Sequence, residues 1–178
     1  MEEVAHVDEL IAESRALSGP AQPFEEFFIR EMDRLQRALV LITGSRSDAE
    51  DIAQESFMRV FARWDEVGTM DQPAGYLHRV AMNLFRSRYR RAVRELKRTT
   101  GMVDRHDDGL GPVEDRDEAG RILAELTPRQ RAALVLTEAF GYSGEEAAEL
   151  LGVKPSTVYA LTHQARRALA GIAGGIDA

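Results

Sequence analysis

Helical periodicity runs through most of this chain and is interrupted at only two places. Apolar residues recur at steps of three and four from Phe24 to Arg98, and again after residue 120. This period matches one face of an α-helix. No segment combines alternating apolar and polar residues with the turn residues of a β-hairpin. The pattern therefore predicts an all-α protein.

The two interruptions divide the chain into parts. The stretch 18–23 places two prolines and a glycine within six residues, and a helix interior does not accept that composition. Between Thr99 and Gly120 seven acidic residues face two arginines, and the apolar periodicity stops. We expect an N-terminal extension at 1–22, a helical domain at 23–98, a flexible acidic linker at 99–120, a second helical domain at 121–172 and a tail at 173–178.

Composition and motifs argue against several classes of protein. The chain has no cysteine, and its four histidines lie far apart, so we expect no disulfide, no metal site and no cofactor. No stretch reaches the roughly 20 apolar residues of a membrane span, and the acidic start does not resemble a secretory signal. We find no phosphate-cradling glycine loop and no nucleophile beside a base. These features predict a cytoplasmic protein that is not an enzyme.

Three helix starts carry the residues of a capping box, in which a hydroxyl and a Glu or Gln three residues later satisfy each other's backbone N–H groups. The predicted pairs are Ser47 with Glu50, Thr127 with Gln130, and Ser143 with Glu146. Pro128 also suits the first helical position after Thr127. Each box predicts the start of a helix.

The segment from Ser143 to about Ala170 has the pattern of a helix-turn-helix. A short helix is expected to end at Gly152, and a second to begin at Pro155. Polar side chains on the second helix could reach phosphates or base edges: Ser156, Thr157, Tyr159, His163, Arg166 and Arg167. This surface is only weakly basic, so a purely structural three-helix domain remains an alternative.

Positive charge is concentrated in one stretch of an acidic chain. Residues 79 to 98 carry eight Arg or Lys and one acid, whereas the whole chain has a formal net charge of −7. On a helix, one exposed ridge would hold Arg79, Asn83, Arg86, Arg90, Arg94 and Lys97. Because neighbouring cations repel each other, a bound anion such as nucleic acid explains the ridge economically. The alternative is a basic helix partly neutralised by the acidic linker.

The segment that precedes the ridge presents two different faces. An apolar stripe expected to be buried comprises Ala53, Phe57, Val60, Phe61 and Trp64. Asp51, Gln54, Glu55 and Met58 lie on another face. Periodicity alone favours an ordinary solvated surface for this second face, since charged helix faces are usually solvated.

Three motifs together resemble the extracytoplasmic-function sigma factors of bacterial RNA polymerase. They are "DAEDIAQESFMRVF", "PAGYLHRVAMNL" with its trailing arginines, and "LTPRQRAALVLTEAFGYSGEEAAELLGV" followed by "STV". The resemblance covers about residues 24 to 98 and 123 to 170, in the family's order and spacing. It implies a promoter-specificity subunit, not itself an enzyme, that binds core RNA polymerase and helps to separate the promoter strands.

The resemblance also implies roles for individual residues. Core polymerase would bind Asp51, Gln54, Glu55 and Met58. A base flipped from the −10 element would lie in the loop Val67–Gln72 (Gly68, Thr69, Met70, Asp71 and Gln72), with Arg79, Asn83, Arg86 and Arg90 lining its path. The helix-turn-helix surface would read the −35 element. The implied partners are core RNA polymerase, promoter DNA and an anti-sigma factor, and the two domains are expected to close on one another in the free state.

The recognition helix departs from the family pattern. The family usually carries Lys or Arg at one or more of the positions held here by Tyr159, Leu161 and Gln164. Fewer cations predict weaker binding to the −35 element and a flatter salt dependence. Two alternative functions remain, a helix-turn-helix regulator that binds DNA alone and a helical protein-interaction module that has lost DNA binding.

Overall fold

The computed structural model describes residues 22–100 and 123–176, and these ranges are helical with no β-strand. The all-α prediction is confirmed. The helices are α1 (Phe24–Thr43), α2 (Arg46–Phe61), α3 (Trp64–Val67), α4 (Pro73–Thr100), α5 (Pro128–Leu134) with a π-helical continuation (Val135–Ala139), α6 (Gly144–Leu151) and α7 (Pro155–Ile176). Nearly all of the expected extension and of the expected linker lies outside the described residues.

Within the described ranges, no helix is long and apolar enough to cross a membrane. The same ranges contain no group of three or more His, Asp or Glu side chains arranged to hold a metal ion. His78 is buried in α4, whereas His163 is exposed on α7, so these two histidines do not form one site.

Helices α1, α2 and α4 pack around a common core in the N-terminal half. The core is aromatic at one end, where the Trp64 ring lies 4.8 Å from Phe27 and 5.3 Å from Phe24. Leu39 and Ile42 of α1 are fully buried at the other end. Burial of such large apolar side chains supplies most of the free energy that holds the helices together.

Phe61 is the member of the predicted apolar stripe that the structure does not bury. It is 60% exposed, whereas Val60 and Trp64 are 0% and 7% exposed. At 3.6 residues per turn, the buried Ala53, Phe57 and Val60 share one arc of α2, and Phe61 lies at the edge of it. Its ring packs against Phe24 at a centroid distance of 4.8 Å. The prediction that Phe61 is buried was wrong.

The N-cap of helix α2 is Ser45, two residues before the predicted cap Ser47. The Ser45 hydroxyl accepts a hydrogen bond from the Asp48 backbone N–H at 3.2 Å. Gly44 ends α1 in the left-handed region, at φ 69°, and this sharp turn brings Ser45 directly to the start of the next helix. The predicted box of Ser47 and Glu50 was therefore wrong.

The two capping boxes predicted for the C-terminal half are confirmed. The Thr127 hydroxyl accepts from the Gln130 backbone N–H at 3.3 Å, and the Gln130 side chain accepts from the Thr127 N–H at 2.9 Å. Ser143 and Glu146 make the same pair of bonds at 3.2 Å and 2.8 Å. Hydrogen bonds to the backbone hold Glu146 as the carboxylate and lower its pKa.

Helices α6 and α7 form the predicted helix-turn-helix. α6 ends at Gly152 in the left-handed region, at φ 60°, where a side chain would be strained. α7 begins at Pro155 as predicted, but it continues to Ile176 instead of ending near Ala170. Val158 of α7 is fully buried, and it anchors the second helix against the rest of the domain.

The N-terminal and C-terminal halves are packed against each other, with α1 against α5 and α4 against α6. Arg131 of α5 is buried at this junction. Its Nε donates to the Ile42 carbonyl at 3.1 Å, and its Nη1 donates to the Leu123 carbonyl at 3.3 Å. Ile42 lies in the last turn of α1, where a cation also meets the favourable end of the helix dipole. Arg131 therefore ties the two halves together.

Candidate nucleic-acid and polymerase interfaces

The predicted basic ridge lies along the outer side of α4. Its position follows from the opposite side of the helix, where Leu77, Ala81 and Leu84 are buried and Val80 is half-buried. DNA contacts are implied for four residues of the ridge. Arg79, Asn83 and Arg90 are exposed, and Arg86 is half-buried. A rigid, core-anchored helix thus presents a row of hydrogen-bond donors to one side.

Two arginines of the ridge are turned toward the helix-turn-helix. Arg79 Nη2 lies 4.0 Å from Glu149 Oε2 of α6. The Arg86 guanidinium rests on Gly152, where an added Cβ would lie 2.2 Å from Arg86 Nη2. Only a glycine leaves room for this approach. In this arrangement the C-terminal half covers part of the ridge.

The loop with the implied base pocket is shorter and better packed than expected. Residues Trp64–Val67 form α3, and Gly68 directly after it is buried. Met70 packs against the core. Thr69, Asp71 and Gln72 are exposed. These three side chains are therefore the ones that can meet a base, whereas Gly68 and Met70 shape the loop from within.

The predicted −35 surface lies on α7, where its residues are exposed except for the half-buried Thr157: Ser156, Thr157, Tyr159, His163, Arg166 and Arg167. Acids of the same half already engage two of them. The Tyr159 hydroxyl donates to Glu145 Oε1 at 2.8 Å, and Arg166 pairs with Glu138. The hydrogen bond lowers the pKa of Glu145 and raises the pKa of Tyr159. Acidic side chains of the same half thus engage part of this surface.

The implied polymerase-binding face lies on α2. Asp51, Gln54 and Met58 are exposed, Met58 by 71%, and Glu55 is half-buried. Arg88 of α4 bridges the two acids, with Nη1 3.4 Å from Asp51 Oδ2 and Nη2 3.3 Å from Glu55 Oε2. The two carboxylates therefore also link α2 to α4.

Sequence reasoning missed a cluster between the two halves. The π-helical turn ends at Ala139, and Phe140 and Tyr142, which follow it directly, reach α4. The Phe140 ring lies 4.3 Å from the His78 ring, and the Arg34 guanidinium lies 4.8 Å from the Phe140 centroid. His78 Nδ1 and the Tyr142 hydroxyl are 2.7 Å apart. A cation–π contact, a ring contact and a hydrogen bond thus join α1 and α4 to the C-terminal half.

His78 is uncharged in this environment. Burial lowers its pKa to about 4; the nearby Glu31 carboxylate opposes this shift, and the Arg34 guanidinium adds to it. His78 Nε2 has no hydrogen-bond partner among the described residues. Burial likewise raises the pKa of Tyr142. The contact is therefore one between neutral groups at neutral pH.

A signal for this cluster was present in the sequence. His78, Met82 and Phe85 recur at steps of four and three and are all buried. They form a second stripe beside the buried Leu77 and Ala81, so α4 buries a wider arc than a helix that packs against one neighbour. The width indicates a second packing partner, but the spacing does not identify it.

Two family profiles match the chain. Sigma-70 region 2 matches residues 27–95, and Sigma-70 region 4 matches residues 116–169. The first match covers α1 to most of α4, and the second ends within α7. Each of the two helical halves therefore matches one sigma-70 region.

Individual relatives agree with the profiles. The ECF RNA polymerase sigma factor SigE of Mycolicibacterium smegmatis is 34% identical to this chain. The matched region covers 82% of this chain and 60% of that protein. The RNA polymerase sigma-E factor of Streptomyces avermitilis is 31% identical, with 83% of both chains covered.

A solved structure is also similar. It is the sigma factor RpoE in complex with the anti-sigma factor NepR from Bartonella quintana, with a TM-score of 0.63 and 25% identity over 85% of this chain and 96% of that one. The similarity thus extends over both halves. Motifs, profiles, relatives and fold agree, and the chain belongs to the extracytoplasmic-function sigma factors of bacterial RNA polymerase.

Proposed function

We propose that this sigma factor docks on core RNA polymerase through α2, opens the −10 element with the ridge of α4, and makes weaker contacts to the −35 element with α7. It acts in the cytoplasm and performs no reaction of its own. One observation carries the proposal: the same chain has an exposed face of acidic and polar residues on α2 and a basic ridge on α4. A regulator that binds DNA alone needs only the helix-turn-helix.

The docking surface centres on Gln54 and Met58. Met58 is 71% exposed and Phe61, at the end of the same helix, is 60% exposed. Exposed apolar side chains within a polar rim are typical of protein-binding surfaces. Asp51 and Glu55 also hold Arg88, so their removal would disturb the contact of α2 with α4. Gln54 and Met58 are therefore the sharper probes of docking.

DNA contact requires the two halves to separate. Arg90 and Asn83 are exposed, but Arg79 and Arg86 lie against α6. A flipped base costs a few kcal/mol of unstacking, and phosphate contacts along the ridge offset that cost. Polymerase docking supplies the free energy that frees these arginines. A chain of net charge −7 is otherwise repelled by DNA at long range.

The experiment that tests this function combines binding and transcription. Purified core polymerase is mixed with the wild-type chain, with the double variant Gln54→Ala and Met58→Ala, or with Arg46→Ala as a control on the same helix. The wild type should co-elute with core and produce discrete new transcripts from genomic promoter fragments. The double variant should bind core at least about tenfold more weakly, and the control should match the wild type.

Two results would contradict the proposal. Equal core binding by the double variant and the wild type would remove the docking surface from α2. No co-elution and no transcript with the wild type would favour the protein-interaction module instead. Circular dichroism of each variant would show whether its helices are intact.

A further inference from the structure

A groove opens between the two halves, beside the C-terminal part of α4. Its volume is about 610 Å³, within the range of small-molecule sites. We call it the arginine groove, and it is lined by Ser87, Tyr89, Arg90, Val93 and Arg94 of α4 and Arg129 of α5. Except for Arg90 and Arg94 on the ridge, these residues have no part in the functions described above.

Three arginines line this groove on a chain of net charge −7. Arg90, Arg94 and Arg129 are exposed, and within residues 22–100 and 123–176 none of them is ion-paired with a carboxylate. Other arginines of α4 do have such partners, as Arg88 and Arg98 show. Among the described residues, no carboxylate therefore pairs with the positive charges of the groove.

Local contacts hold two of these arginines in place. Arg94 Nε donates to the Arg90 carbonyl at 3.2 Å. The Arg129 guanidinium lies 5.6 Å from the centroid of the Tyr89 ring. Groups that are already positioned lose less conformational freedom when they bind a ligand. The groove is thus partly prepared for an anion.

We propose that the arginine groove binds a compact polyphosphate, the chemistry of a di- or triphosphate group, in one site shared by the two halves. Phosphate oxygens accept hydrogen bonds from the guanidinium forks of Arg90, Arg94 and Arg129 and from the Ser87 hydroxyl. A DNA backbone spreads single charges along its length, whereas this groove gathers three cations in one concavity. That difference favours a small polyanion.

The site has a consequence for regulation that rests on the proposed function. A ligand held by α4 and α5 together stabilises the arrangement in which the two halves are closed. It also occupies Arg90, which belongs to the ridge. Polyphosphate and −10 DNA should therefore compete.

Isothermal titration calorimetry of the full chain with inorganic tripolyphosphate at physiological salt tests the site without polymerase or DNA. We expect one ligand per chain. Arg94→Gln and Arg129→Gln, one from each half, should each weaken binding about tenfold, because each removes charge-assisted hydrogen bonds. Arg91→Gln makes the same charge change at an exposed neighbour outside the groove, and it should stay within twofold of wild type.

A second titration with a nucleoside triphosphate distinguishes the source of the phosphates. Equal affinity for both ligands assigns the site to the phosphate chain alone, and tighter nucleotide binding adds a contribution from the base; both support the site. Several ligands per chain, no binding, or equal weakening by Arg91→Gln would overturn it. If Arg94→Gln weakens binding and Arg129→Gln does not, the site is not shared by the two halves, and that part of the proposal is overturned. Because neither titration contains polymerase, their outcome is independent of the docking test.

Discussion

The ridge of α4 and the recognition surface of α7, the two proposed DNA-binding surfaces, differ in charge and in what covers them. The ridge gathers arginines on a core-anchored helix, and the other half of the molecule covers part of it through Glu149 and Gly152. The recognition surface carries fewer cations, and acids of its own half engage Tyr159 and Arg166. The more strongly charged surface is thus partly covered by the other half, and side chains of the weaker one are engaged by acids of the same half.

Removing the ridge charge should have the largest effect. The double variant Arg86→Ala and Arg90→Ala should reduce open-complex formation about 100-fold, because each arginine makes charge-assisted contacts worth roughly one power of ten. Core binding should stay unchanged. Permanganate footprinting of open complexes and co-elution with core measure the two effects. Equal losses in both would break the distinction between ridge and docking face.

Loosening the closure should expose the ridge. Arg131→Met keeps the length of the side chain but leaves the Ile42 and Leu123 carbonyls without their charged donor. We expect a loss of about 2 kcal/mol in the free energy of unfolding, together with tighter binding of −10 single strands by the free chain. Urea unfolding and fluorescence anisotropy measure these quantities.

Arg37→Met serves as the control for that change, since Arg37 is exposed on α1. It should alter the free energy of unfolding by no more than about 0.5 kcal/mol. If Arg131→Met destabilises the chain without increasing binding to single strands, covering of the ridge does not limit DNA contact.

Acid should weaken the same closure through His78. Its pKa is about 4 in the folded chain against an ordinary value of 6.5, so between these values the unfolded chain binds more protons and stability falls as pH falls. From pH 7 to pH 5 the loss attributable to His78 should be about 2 kcal/mol. Urea unfolding at both pH values measures it. His78→Gln, which does not titrate, should show a correspondingly smaller pH dependence; an identical one would contradict the burial of a neutral His78.

Adding charge to the weaker surface should have the smallest effect. Tyr159→Lys places a cation at one of the three positions where the resemblance implies Lys or Arg, and it removes the hydroxyl that engages Glu145. Binding to duplex −35 fragments should strengthen a few-fold, and the slope of log affinity against log salt should steepen by about one. Ala160→Lys, at the exposed neighbouring position, tests the general effect of charge. An equal gain from both would show that α7 has no defined DNA-facing side.

Local chemistry predicted much of the fold. The boxes at Thr127 and Ser143, the turn at Gly152 and the start of α7 at Pro155 each depend on residues within one turn of the helix. The box at Ser47 failed because the left-handed Gly44 had already turned the chain. Such a competition between neighbouring start signals is decided by backbone geometry that composition does not contain.

The contacts between the two halves were less accessible to prediction. Arg131 reads in the sequence as an ordinary surface arginine of a helix, yet its partner Ile42 lies 89 residues away. His78 likewise stands in a visible stripe whose partner, Tyr142, comes from the other half. Periodicity shows that a side chain is buried but not what buries it. The candidate DNA-binding and polymerase-binding surfaces could be predicted from the family motifs. The contacts that cover part of the ridge became visible only in the structure.

We expect the ridge to be covered in the free chain and uncovered on polymerase. Because the chain has no cysteine, fluorophores can be attached at Asp65→Cys on α3 and Ala160→Cys on α7, both exposed positions. Single-molecule energy transfer then reports the distance between the halves. We expect one high-efficiency population in the free chain and a shift to low efficiency when core polymerase is added. The same efficiency with and without bound polymerase would contradict it.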